Sequence, residues 1–185
     1  MRARCLERGL VAWITGLPGS GKTTVALRAK EALESKGYRV EVLDGDWFRA
    51  HIDPEAGYTR EERVRHLRRV AWVARLLARN GIIVICSFVS PYREAREEVR
   101  KIVLEEAAFL EVYARCPLEV CIRRDPKGLY RRALAGEIKN FTGVSDPYEE
   151  PERPDLVLDT ANDPPEVNAA KLVEAIERAL AGHDA

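Results

Sequence analysis

Gly16-Leu17-Pro18-Gly19-Ser20-Gly21-Lys22-Thr23, followed by Thr24, matches G-x-x-x-x-G-K-[ST]. Its surroundings are those the motif needs: the apolar run Leu10-Val11-Ala12-Trp13-Ile14 before it and the helix-forming Val25-Ala26-Leu27-Arg28-Ala29-Lys30 after it. Strand, glycine loop and helix together make a phosphate-binding loop. The glycines let backbone N–H groups turn inward and approach phosphate oxygens, and the helix adds its positive N-terminal end. Gly16, Gly19, Ser20, Gly21 and Thr24 are thus candidates for cradling the phosphates of a nucleotide such as ATP. Lys22 would reach the terminal phosphates, and Thr23 would offer its hydroxyl to Mg²⁺. A Gly-Pro turn between strand and helix accounts for the glycines but not for the Lys-Thr pair. The loop implies a nucleotide and leaves the reaction open.

Outward from the loop, strand-like and helix-like segments alternate. The helix from Lys22 is expected to stop near Lys36, with Gly37 as a left-handed cap, and Tyr38 to Leu43 alternates as a second strand ending in Asp44-Gly45-Asp46. Thr59-Arg60-Glu61-Glu62 is a capping box that opens a long helix closing at Asn80-Gly81. Ile82-Ile83-Val84-Ile85-Cys86 is apolar without alternation, as a parallel strand covered on both faces requires. Ser90-Pro91 reads as the start of the next helix, serine as cap and proline in the first turn. Phe109 to Ala114 and Leu156-Val157-Leu158 read as strands four and five, and a last helix begins near Pro165. This is an α/β chain: a three-layer P-loop NTPase fold with a mostly parallel, roughly five-stranded sheet, ligands sitting beyond the carboxyl ends of the strands.

One segment breaks the rhythm. Arg123 to Pro154, between strands four and five, is rich in charge, glycine and proline, and its apolar residues Leu129, Tyr130, Phe141 and Tyr148 are spaced without period. A long connection of this kind in a compact domain is a functional lid or a disordered stretch, and the aromatics favour a lid.

Composition narrows the class. At 185 residues the chain suits a single domain with one sizeable core. Its 30 basic and 30 acidic residues cancel, so no global field favours nucleic acid or membrane. No apolar run is long enough to span a bilayer, and Met1-Arg2-Ala3-Arg4-Cys5 lacks the apolar core of a signal peptide. Cys5, Cys86, Cys116 and Cys121 show no C-x-x-C spacing, which points away from zinc and towards reduced thiols in a cytoplasmic protein.

Asp46 and Arg49 follow the second strand and so share the rim of the phosphate loop. A kinase needs a carboxylate near the acceptor hydroxyl to orient it and take its proton, which is the role expected of Asp46, with Arg49 holding an anionic acceptor. Asp44 is expected to cap the end of the strand, a structural role; capping a short helix is the alternative for Asp46. Of the arginines on the long helix several will be a solvated face, but Arg63 lies one turn before His66, close to where that rim would deliver a substrate. Trp72, on the same helix, reads as a core tryptophan, with an interface as the alternative.

In their order, GLPGSGKTT, LDGDWFR, SFVSPYREAR and CPLEVCIRRDPKGLYRRALAGEIKNFTGVSDPYEEPERPDLVLDT resemble the adenylylsulfate kinase (APS kinase) family, from about Gly9 to Thr160. The DPKGLYRRA…GEIK-FTG…DPYE-P run is the specific part. The resemblance implies ATP- and Mg²⁺-dependent phosphorylation of the 3′-hydroxyl of adenosine 5′-phosphosulfate. Asp46 and Arg49 would contact that substrate, Asp46 near the hydroxyl. Tyr58, where the family has phenylalanine, would stack on its adenine, and Arg63 would hold its phosphosulfate. Val89 and Ser90 match a substrate-contacting pair, Ser90 also being a position some members phosphorylate. Lys127 and Phe141 match lid residues, a cation for phosphates and a stacking wall, and Arg124 and Thr160 lie where the adenine of ATP is held. Members are commonly homodimers, and a separate ATP sulfurylase is an implied partner.

Two departures stand out: His66 replaces the asparagine of R-x-x-N-I-R-R, and Asn140 replaces a glycine of GEIKGFTG. Neutral histidine imitates asparagine's donor and acceptor pair, so His66 is retained as a substrate contact, with a pH dependence expected near the reference pKa of about 6.5. Asn140 tolerates left-handed backbone. The third strand ends in Cys86-Ser87-Phe88 without an aspartate for Mg²⁺, which leaves Thr23 as the one assigned protein ligand. The rival readings are a kinase of another small acceptor and a silent nucleotide-binding partner of a sulfate-activating enzyme.

Overall fold

β1 (Leu10–Thr15) is buried at every position because it is the central strand of a five-stranded sheet. The structure, a computed structural model, describes residues 6–183; Cys5 and the rest of the first five residues lie outside it. The remaining strands are β2 (Val40–Asp44), β3 (Ile83–Ser87), β4 (Ala108–Arg115) and β5 (Leu156–Asp159). Their order is β2-β3-β1-β4-β5, and every pairing is parallel. Leu10 lies opposite Ile83 on one side and Ala108 on the other, so the apolar runs read from sequence meet in register.

Strand alternation sends β1 into two cores. Leu10, Ala12 and Ile14 face the layer of α1 (Lys22–Ser35) and α7 (Pro165–His183), with Val25, Leu33, Leu172 and Ile176. Val11 and Trp13 face α3 (Arg60–Ala78) and α4 (Arg93–Leu104), with Val70, Ala74, Val99 and Val103. Both faces of the sheet are therefore covered, and its loops are free to act only at the strand ends.

Local signals set several boundaries. Gly37, at φ 89°, ends α1. Thr59 and Glu62 form the reciprocal capping box of α3, with Thr59 Oγ1 accepting from the Glu62 N–H and Glu62 Oε2 accepting from the Thr59 N–H. Asp44 caps α2 (Gly45–His51) by accepting from the N–H groups of Asp46 and Trp47.

At Gly9 the backbone passes so close to β3 that a Cβ would lie 1.9 Å from the Ile82 carbonyl oxygen. Gly9→Ala is expected to destabilise by roughly 1–3 kcal/mol, a fall in Tm of about 3–10 °C, read by thermal unfolding. An unchanged Tm would show that the approach to β1 shifts without cost.

Three expectations are corrected. Ser90 does not cap α4, which begins at Arg93 behind Tyr92. Its hydroxyl is committed elsewhere: Trp13 Nε1 donates to Ser90 Oγ at 3.1 Å, Arg96 donates to its carbonyl at 2.7 Å, and the residue sits at φ 40°. Trp72 is not in the core but half-exposed, because α3 buries Leu67, Val70, Ala71, Ala74 and Ala78 and the next position faces away; Arg75 packs over its ring at 4.8 Å. The lid, read as aperiodic, contains the short helix α6 (Leu129–Leu134) just after α5 (Leu118–Arg124). Asp125 accepts from the N–H groups of Tyr130 and Arg131, satisfying free donors of the first turn of α6, an interaction that needs no periodicity.

Candidate active site

The phosphate loop leaves β1 at the centre of the sheet, with Gly19 at φ 74° and Gly21 at φ 89°, backbone geometry that disfavours side chains. Lys22 is buried beneath it. Its ammonium donates to the Gly16 and Leu17 carbonyls at 2.9 and 2.7 Å and lies 3.4 Å from Ser20 Oγ, and burial pushes its pKa down to about 8.

Beside the loop, three oxygen-bearing side chains converge from the start of α1 and the ends of β2 and β3. Thr23 Oγ1 donates to Asp44 Oδ2 at 2.7 Å and lies 3.1 Å from Ser87 Oγ. Asp44 therefore uses one carboxylate oxygen to cap α2 and the other to meet Thr23. Asp44 and Ser87 were missed as site residues: the capping role explained the aspartate fully, and only the β2–β3 pairing, Asp44 opposite Ser87, brings both to Thr23.

A cavity of about 420 Å³ opens between this rim and the lid. Gly19, Lys22 and Thr23 line one side, Asp46, Arg49, Tyr58, Arg63 and His66 a second, Val89 and Ser90 the floor, and Lys127 and Phe141 the lid. Gly16, Ser20, Gly21 and Thr24 belong to the loop but not to the cavity lining. Arg124 and Thr160 also lie outside that lining; they form a separate pair, Arg124 donating to the Thr160 carbonyl at 2.7 Å.

The lid is down. Tyr130 Oη donates to the Pro18 carbonyl at 2.9 Å, Tyr148 Oη lies 2.9 Å from Thr15 Oγ1, and Lys127 is ion-paired with Asp46. Phe141 packs edge-on against Tyr130, and Asn140 takes the left-handed φ of 53° that its glycine-like position demands. Arg63 ties the lid to α3 by donating to the Asn140 carbonyl at 2.7 Å and to the Tyr58 carbonyl at 3.0 Å. Arg49 donates to the Ala56 carbonyl at 2.5 Å, and its guanidinium lies 4.4 Å over the Tyr58 ring. Both arginines expected to meet an anion are thus held at the cavity by backbone carbonyls, and the Tyr58 ring packs against them.

His66 departs from expectation in one respect. Burial, against the Asp53 hydrogen bond and together with the Arg49 and Arg69 charges, pushes its pKa below 6.5, so its titration moves to lower pH than the reference value.

The parallel sheet, the phosphate loop at its centre and a lidded cavity carrying a carboxylate across from the loop define a P-loop kinase. The chain belongs to the adenylylsulphate kinase family, whose model matches residues 8–159. It is 60% identical over 178 residues to a probable adenylyl-sulfate kinase of Aeropyrum pernix, covering 96% of this chain and 97% of that one. An adenylyl-sulfate kinase of Halothermothrix orenii is 52% identical, covering 92% and 91%. Among solved structures, the Mycobacterium tuberculosis APS kinase in complex with AMPPNP and APS superposes with a TM-score of 0.91 at 40% identity, covering 93% of this chain and 99% of that one.

Proposed function

We infer that this protein transfers the γ-phosphoryl group of ATP to the 3′-hydroxyl of adenosine 5′-phosphosulfate, giving 3′-phosphoadenosine 5′-phosphosulfate and ADP. The observation that carries this reading is one cavity in which Lys22 and Thr23 of the phosphate loop share a volume with Asp46, Arg63 and Phe141. Donor and acceptor would meet there without crossing solvent. The neighbouring Arg124–Thr160 pair is the proposed adenine wall for ATP.

The all-oxygen set of Thr23 Oγ1, Asp44 Oδ2 and Ser87 Oγ suits Mg²⁺, a hard cation that keeps several waters. When bound, Mg²⁺ would supply countercharge to the phosphates. Lys22 would leave the Gly16 and Leu17 carbonyls for phosphate oxygens. Asp46, freed from Lys127 as the acceptor enters, would orient the 3′-hydroxyl and take its proton. Arg49 and Arg63 would face the phosphosulfate, and Tyr58 and Phe141 would flank the adenine. With the lid closed, positioning and countercharge suffice for a loose transition state. We also propose a homodimer, for which the exposed Trp72 and Leu76 on α3 offer an apolar surface, and a separate ATP sulfurylase as the source of substrate.

The test is ADP release against a panel of acceptors. Adenosine 5′-phosphosulfate is expected to exceed AMP and gluconate by about 10²-fold or more in kcat/KM. Equal turnover of AMP or gluconate would overturn the assignment.

A further inference from the structure

His66 and Asp53 form a buried pair at the cavity wall. Each side chain is 3% exposed, and His66 Nδ1 lies 2.8 Å from Asp53 Oδ2. Arg69 donates to the other carboxylate oxygen, Oδ1. Phe48 meets the imidazole edge-on at 5.6 Å between ring centroids and Phe88 tilts against it at 5.9 Å, so packing as well as hydrogen bonding fixes the ring. Its second nitrogen, Nε2, is buried and has no hydrogen-bond partner among the described residues, and His66 is one of the residues that line the cavity. A buried polar atom left without a partner is costly unless a ligand satisfies it.

Chemistry fixes what that atom offers. Arginine is a donor only, so Arg69 already supplies one full charge to Asp53, and a second cation at His66 would be surplus as well as buried. The charge of Arg49, on α2, opposes that cation too. Against the cost of burial, the His66 hydrogen bond and the Arg69 charge hold the Asp53 carboxyl below the usual range, so it is an acceptor. A neutral imidazole bonded through Nδ1 to an acceptor must carry its proton there.

We propose that Asp53 is a positioning residue that locks His66 in the Nδ1–H form, leaving Nε2 as a lone-pair acceptor that takes one hydrogen bond from a neutral O–H or N–H of the acceptor nucleoside. A bare lone pair repels an anion, so the two residues of this helical turn divide the acceptor between them: Arg63 suits the phosphosulfate and His66 the nucleoside. An acceptor lacking the matching donor leaves Nε2 unpaired and is rejected. The inference rests on the reading of the cavity given above, and its first test is independent of any ligand.

The first test is two-bond ¹H–¹⁵N correlation of the histidine rings in the free protein at neutral pH, with His66→Gln identifying the signal among the chain's 3 histidines. The proton is expected on Nδ1; a proton on Nε2, or on both nitrogens, overturns the proposal. In Asp53→Asn the amide oxygen stays with Arg69, so the amide nitrogen must donate to Nδ1 and the tautomer is expected to flip; an unflipped ring in the folded variant would deny Asp53 its positioning role.

The second test compares kcat/KM for adenosine 5′-phosphosulfate, its 2′-deoxy analogue and its inosine analogue, which separates a ribose O–H from the base N–H. One analogue is expected to lose about 10–10²-fold in the wild type and no more than about twofold, relative to the parent substrate, in His66→Leu. Equal use of both analogues by the wild type, or a penalty that survives in His66→Leu, overturns the selectivity. Failure to turn over adenosine 5′-phosphosulfate itself refutes the functional reading and the selectivity with it, while the ring spectrum still decides the tautomer.

Discussion

Lys22→Ala is expected to lower kcat by about 10³-fold or more, the scale on which removal of a preorganised countercharge acts. The lysine is buried under the phosphate loop, and its hydrogen-bond partners among the described residues are the Gly16 and Leu17 carbonyls and Ser20 Oγ. Those oxygens hold the ammonium without a full negative charge. Terminal phosphates are stronger partners, so the side chain is poised to be exchanged onto a ligand rather than to hold the fold. The substitution also deprives two carbonyls of a donor, so the variant's Tm is measured alongside its turnover. A folded Lys22→Ala protein with near-normal kcat would refute the catalytic scheme.

Asp46→Asn is the second large effect, a loss of about 10²–10⁴-fold in kcat with the KM for ATP nearly unchanged. The Asp46 side chain is 74% exposed at the mouth of the cavity, and α2 is capped by Asp44 rather than by Asp46, so the fold should not register the change. Asparagine keeps the shape but cannot take the hydroxyl proton, and it loses the ion pair to Lys127 that bridges the rim and the lid. Steady-state kinetics with both substrates varied would show the split. Full kcat in Asp46→Asn would place proton acceptance on another group.

How much of this was legible beforehand depends on the distance over which each interaction acts. The phosphate loop, the apolar central strands, the Thr59–Glu62 capping box and the Gly37 turn involve residues within a few positions of one another. A periodic pattern or a short hydrogen bond determines each, and sequence carries both directly. Asn140 belongs with them, since its backbone conformation follows from a glycine-like slot.

Tertiary packing decided the rest. Ser90 looked like a cap because serine before proline usually is one, yet the indole of Trp13, 77 residues away, had claimed its hydroxyl. Trp72 looked like core because tryptophan usually is, but a helix buries a stripe of limited width and small alanines filled it. Lys127 and Asp46 stand 81 residues apart and meet only because the lid folds over the strand ends.

By itself the sequence determined the phosphate loop, the alternation of strands and helices around it, and the family resemblance. Only the folded chain decided that Asp44 and Ser87 join Thr23, that His66 is held by Asp53 with one nitrogen left bare, and that the lid rests on Pro18 and Thr15. The physical reason is the same in each case. Parallel pairing and helix docking set which distant side chains share a few ångströms, and no local pattern records that.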